Sequence, residues 1–212
     1  INLIITVSRY SSYGRNSLLI AGIPELLVNI AMSTSDSSIA INCCMTLESI
    51  FSDVRNIDFD TLIQHVMMMT QLLSLPYDEA KLSILSTFIS ISYQVPIVSN
   101  TLCGSYQIHL MLLNLLYDEN LKGQSLNLLR NICISADIDF VKQVIEYGLI
   151  ISLLDFINSN LSAISIHLIS ILIERLHKEV FDLLPPNFNE SLIEIACVSP
   201  FEVKKQIAFL LS

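Results

Sequence analysis

Hydrophobic side chains in this chain return in the same order about every forty residues. The rule is an apolar residue, a small or apolar one four positions on, and apolar residues again at eight and eleven. It fits Ile39, Cys43, Leu47 and Ile50, and then Ala80, Ile84, Phe88 and Ile91. It recurs at Leu121, Ser125, Leu129 and Ile132, and at Leu161, Ser165, Ile169 and Leu172. These starts lie 41, 41 and 40 residues apart, and a fifth copy opens 42 residues later with Val203, Ile207 and Leu211. Such spacing puts the four positions on one face of an α-helix. No unit of this size buries its apolar faces alone, so neighbours stack into a continuous core.

Each copy follows the same punctuation. Ser33-Thr34-Ser35-Asp36, Pro76-Tyr77-Asp78, Tyr117-Asp118-Glu119-Asn120, Asn158-Ser159-Asn160 and Ser199-Pro200 carry turn and helix-start chemistry. A second apolar helix is predicted before each, over 23–31, 62–73, 106–116, 149–157 and 192–198. Gly22-Ile23-Pro24 and Gly148-Leu149-Ile150 open two of them, and Gly104 is expected to open a third. A shorter helical piece precedes, clearest at 139–147, which makes three helices per unit of about 41 residues. The alternating run Ile89-Ser90-Ile91-Ser92 reads locally as a strand, but the helical period around it prevails.

Composition narrows the class. Charged residues are only 15% of the chain against 52% hydrophobic, so most residues face other protein, and the signature of disorder is absent. From Leu82 to Tyr117 no Asp, Glu, Lys or Arg occurs, yet ten or so polar residues recur there at turn spacing. That pattern fits helices packed on both flanks rather than a membrane span of about 20 mainly apolar residues. No secretory signal is visible. A formal charge of −9 disfavours nucleic acid and admits a basic protein partner. The cysteines Cys43, Cys44, Cys103, Cys133 and Cys197 show no zinc spacing and read as small buried hydrophobes in a reducing compartment, cytoplasm or nucleus.

Catalytic readings find no support in the residues. His65, His109, His167 and His177 are expected on helices without a His-Glu-x-x-His pair, and no glycine-rich phosphate loop exists. Met67-Met68-Met69 is expected in the core. No catalytic residue, metal or cofactor is predicted.

The residues Ala21-Gly22-Ile23-Pro24-Glu25-Leu26-Leu27, followed by Ser35-Asp36-Ser37-Ser38-Ile39, resemble the second helix of an armadillo repeat and the turn into its third. Leu128-Leu129-Arg130-Asn131-Ile132 is similar to the family's leucine-rich third helix. The second unit lacks the glycine and matches poorly. The resemblance implies an all-α, right-handed superhelical solenoid of armadillo-like three-helix repeats. One array is expected, with units 14–54, 55–94, 95–136, 137–180 and a truncated 181–212, residues 1–13 forming the tail of a preceding repeat. The chain is expected to be part of a longer protein.

In the family, third helices line a concave groove, which here is expected to contain Ser49, Ser90, Asn131 and, one turn earlier, Met45, Ser86, Asn127 and His167. An Asn at the first of these ladders hydrogen-bonds an extended peptide in the family, and Asn131 is the match. Glu48 and Arg130 are expected to set charge preference. The resemblance thus implies a non-catalytic scaffold that binds an extended or helical segment of a protein. Two alternatives are a structural spacer that self-associates end to end and an importin-alpha-like nuclear transport adaptor. The adaptor reading lacks the Trp that such grooves pair with Asn, since the chain has none.

Overall fold

In a computed structural model, residues 4, 6–8 and 11–211 are described, the side chains of Tyr106 and Lys178 excepted. Every regular element among them is helical. The first unit consists of α1 (Ser12–Ile20), α2 (Ile23–Ser33) and α3 (Ser37–Ile50). The second has α4 (Phe59–Met69), which runs on into a 3₁₀ turn at Thr70–Ser74, and α5 (Asp78–Gln94). The third has α6 (Val98–Tyr106), α7 (Ile108–Leu115) and α8 (Lys122–Ser135). The fourth has α9 (Ile138–Glu146), α10 (Leu149–Phe156) and α11 (Ser162–Leu176). The fifth has α12 (Lys178–Phe181), α13 (Phe188–Val198) and α14 (Phe201–Leu211).

The recurrence is visible in the packing. The third helices α3, α5, α8, α11 and α14 lie in sequence order, each against the next. All five copies of the apolar pattern supply core residues, and the buried side chains form one continuous cluster from Leu27 to Ile207. The fold is a solenoid in which each unit touches mainly its neighbours. Residues 6–8 are helical, and the Ser8 hydroxyl meets that of Ser49 at 2.6 Å, 41 residues on. The remaining residues of the stretch expected to be a preceding repeat's tail, 1–3, 5, 9 and 10, lie outside the described residues. No single described helix is long and apolar enough to cross a membrane; α1 and α2 together reach that length but are bent by 68°.

Local chemistry sets the helix ends. Asp36 accepts from the amides of Ser38 (2.8 Å) and Ile39 (3.3 Å) and so caps α3. Asp58 caps α4 through the Thr61 amide at 2.9 Å. Gly22 (φ 69°) and Gly148 (φ 95°) stand in the left-handed region at the starts of α2 and α10, as the sequence predicts.

Four expectations need correction. Gly104 does not open a second helix. It lies inside α6, and the left-handed residue is Gln107 (φ 50°), three positions later. The second unit lacks two separate leading helices: α4 continues directly into the 3₁₀ turn, with no left-handed residue between them. His177 is not helical but sits at the end of α11 with φ 38°. Cys197 is exposed, unlike the other four cysteines, because α13 buries Phe188 and Leu192 and Cys197 is not among its buried residues.

Candidate functional site

The third helices share one face, and the side chains there fall into two groups with different tasks. The first group is engaged between helices. A helix leaves its last four carbonyls without partners inside the helix. In this stack, side chains of the following unit supply them. The Arg175 guanidinium donates to the carbonyls of Cys133 (2.7 Å) and Ala136 (2.9 Å) at the end of α8. Asn131 in turn donates to the Ile89 carbonyl (3.1 Å) and to Ser92 Oγ (3.0 Å) near the end of α5. Gln94 donates to the Ser52 carbonyl at 3.0 Å and accepts from the Val54 amide at 3.0 Å, closing the end of α3. Ser90 Oγ donates to the same Ser52 carbonyl (3.3 Å) and accepts from Gln94 Nε2 (2.9 Å).

Three of the sequence candidates therefore work inside the stack. Asn131 is 5% exposed, and both amide protons are committed. Ser49 is buried against Ser8, and Ser90 belongs to the Gln94 clamp. Gln94 and Arg175 were not singled out by the sequence. The signal that marks them is a polar residue near a third helix's end, 39 to 42 residues after the turn it reaches.

The second group is open. Asn127, Arg130 and His167 converge on a surface depression of about 320 Å³ formed by α8, α11 and α14. Asn160, Ala163, Ile164, Glu202 and Gln206 complete its lining. Asn127 Nδ2 donates to its own helix at the Gly123 carbonyl, 3.0 Å away. Burial pushes the His167 pKa down, the Arg130 cation pushes the same way, and Glu174 opposes them. The imidazole is therefore neutral at pH 7. Met45, Glu48 and Ser86 lie further along the same series of helices, Met45 exposed and the other two half-buried. Exposed Tyr93 and Ile134 stand three positions after Ser90 and Asn131, an apolar pair the sequence reading passed over.

Other titratable groups have local partners. His65 is buried with Nδ1 3.6 Å from Glu25 Oε1 and its ring in an edge-to-face contact with Phe51. His109 pairs with Gln143 Oε1 at 2.9 Å. Among the described residues no group of three His, Cys, Asp or Glu gathers as metal ligands do.

Comparison with known families finds no family profile that matches this chain, and no curated protein matches it. Solved structures do. Computationally designed armadillo repeat proteins for modular peptide recognition superpose with a TM-score of 0.79 at 16% identity, over 98% of this chain and 89% of theirs. A second designed armadillo repeat protein gives 0.74 at 15% identity, with the same coverage. An engineered protein gives 0.77 at 17% identity over 98% of this chain, which spans 51% of that one. The chain has an armadillo-like repeat fold.

Proposed function

We propose that this protein is a non-catalytic scaffold that binds an extended segment of a partner protein along the face of its third helices. The observation that carries the reading is the depression between α8, α11 and α14. It joins three consecutive units, and amide, imidazole and guanidinium groups converge there on an aliphatic floor of Ala163 and Ile164. An extended peptide offers a backbone donor and acceptor at every residue. Asn127, Asn160 and Gln206, each carrying both kinds of group, suit that pattern. Solenoids commonly use such continuous concave surfaces for binding. Four buried, unpaired cysteines fit a reducing compartment such as the cytoplasm or nucleus.

Selection from a phage-displayed library of random 12-residue peptides tests this reading. Peptides selected on the native protein are expected to lose about tenfold or more in affinity for the Asn127→Ala, His167→Ala double variant. Replacing Tyr147, in the turn after α9, and Ile151 on α10, both exposed and neither in the lining, should leave them bound. Unchanged affinity in a folded double variant rejects the groove.

A further inference from the structure

We infer that Arg130 anchors a carboxylate, so that the segment bound between α8, α11 and α14 carries an Asp or Glu side chain directed at that guanidinium. The inference rests on the groove reading above and adds the chemistry of the partner.

The other described arginines are all occupied. Arg15 donates to the Ser8 carbonyl (2.7 Å) and pairs with Asp53 (3.3 Å). Arg55 pairs with the same Asp53 at 2.9 Å, and Arg175 holds two carbonyls. Arg130 is half-buried and lines the depression, and among the described residues it has neither a hydrogen bond nor an ion pair. This is notable in a chain with 20 acidic side chains and only 11 lysines and arginines. A guanidinium has five donors in a planar fork and no acceptor, so a partly desolvated one is satisfied best by a bidentate carboxylate.

The surroundings sharpen the choice. Neutral His167 beside Arg130 provides one more donor without a competing negative charge. Asn127 and Asn160 flank it with amides. Across the depression, α14 presents Glu202 as the acid of the lining. A second acid next to the first meets Glu202 and is repelled, so the site takes one carboxylate followed by a neutral or basic residue. The net charge of −9 points the same way, because it opposes strongly acidic partners and leaves local complementarity at Arg130 to set the preference.

The test uses blocked pentapeptides, Ala-Ala-Glu-Ala-Ala and versions with Gln, Lys or phosphoserine at the centre. Each is titrated into ¹⁵N-labelled protein while the arginine Nε–H and the side-chain amides are followed by NMR. The Glu peptide should shift the Arg130 signal saturably, together with side-chain amides of Asn127 and Asn160. The Gln and Lys peptides should bind about tenfold more weakly or worse, the scale of a lost charge-assisted pair. Arg130→Gln should abolish the Glu-over-Gln preference and Arg130→Lys should keep part of it. Should R130Q not fold, the four peptides on the native protein decide alone. Equal binding of the Glu and Gln peptides, with groove signals moving, overturns the carboxylate and leaves the groove reading standing. Tighter binding of the phosphoserine peptide assigns Arg130 to phosphate instead and also overturns it. Shifts confined to other surfaces overturn both.

Discussion

The Asn131 side chain donates to the Ile89 carbonyl 3.1 Å away, across 42 residues of sequence and one repeat boundary. Its second proton goes to Ser92 Oγ, so the amide ties α8 to the last turns of α5. Cutting the link removes both of these hydrogen bonds, although Ser92 Oγ still donates to the Ile89 carbonyl at 3.2 Å, so the loss is about 1–2 kcal/mol. Asn131→Ala should lower the melting temperature accordingly. Asn127→Ala, one turn earlier and bonded only within its own helix, should change stability by less than about 0.5 kcal/mol. Equal losses in the two variants, read by thermal unfolding, contradict the division of the face into stitching and open groups.

The contrast also marks how far the sequence was legible. The helical period and the apolar face were readable because every third helix buries the same four positions, and burial repeats with the same period as the chain. The task of each groove residue was not. Asn127 and Asn131 sit one turn apart on one helix, and only the neighbouring unit decides which is committed. Whether Asn131 meets a peptide or the Ile89 carbonyl depends on the twist between units, which no single repeat encodes. The convergence of Arg130 with Glu202 likewise needs three consecutive units, the last of them contributing α14 after a Ser-Pro turn.

Gln107 makes a second case. Left-handed backbone is strained for any residue with a Cβ, at about 1–2 kcal/mol for an ordinary side chain. The turn before α7 needs φ 50° at Gln107, while Gly104, the visible glycine, lies in the helix before it. Gln107→Gly should therefore raise stability by roughly 0.5–1 kcal/mol. Gly104→Ala should also be tolerated or gain, since its added Cβ meets Phe140 at an ordinary 3.5 Å. Gly148→Ala should lose about 1 kcal/mol from strain alone, because φ is 95° and no atom lies within 4 Å of the new carbon. Denaturant midpoints of the three variants check the signs, and a loss at Gln107→Gly defeats the account.

Ser125 and Ser165 occupy the small-or-apolar position of the repeat pattern, and among the described residues neither buried hydroxyl has a hydrogen-bond partner. The other copies carry buried Cys43, Ile84 and Ile207 at this position, so it asks for burial and not for a hydroxyl, and in these two units the neighbours close around a serine-sized side chain. Ser125→Ala and Ser165→Ala keep the size and remove a desolvated polar group, and each should stabilise by about 1 kcal/mol. Replacement by Val overfills the same place and should destabilise by about 1–3 kcal/mol. Thermal unfolding of the four single variants measures both directions, and alanine variants that melt lower refute the reading.

Asp53 accepts from Arg55 Nε (2.9 Å) and Nη2 (2.9 Å) and from Arg15 Nη2 (3.3 Å), linking the loop after α3 to α1. The Arg55 hydrogen bond is the larger cause that lowers its pKa from 3.8 to about 2, with the charges of Arg55 and Arg15 adding to it. A carboxylate whose pKa is lower folded than unfolded stabilises the fold wherever it is ionised in both states. That contribution is complete above the unfolded value and disappears as pH falls toward the folded one. Stability should therefore be insensitive to this group at pH 5 to 8 and decline between about pH 4 and 2. Asp53→Asn removes the titration, so the gap in melting temperature between native and variant protein should narrow steadily over that acid range. Since Asp53 keeps some solvent exposure, the gap is expected to be modest at neutral pH. A gap that stays constant from pH 7 to pH 2.5 rules out the paired carboxylate as its source.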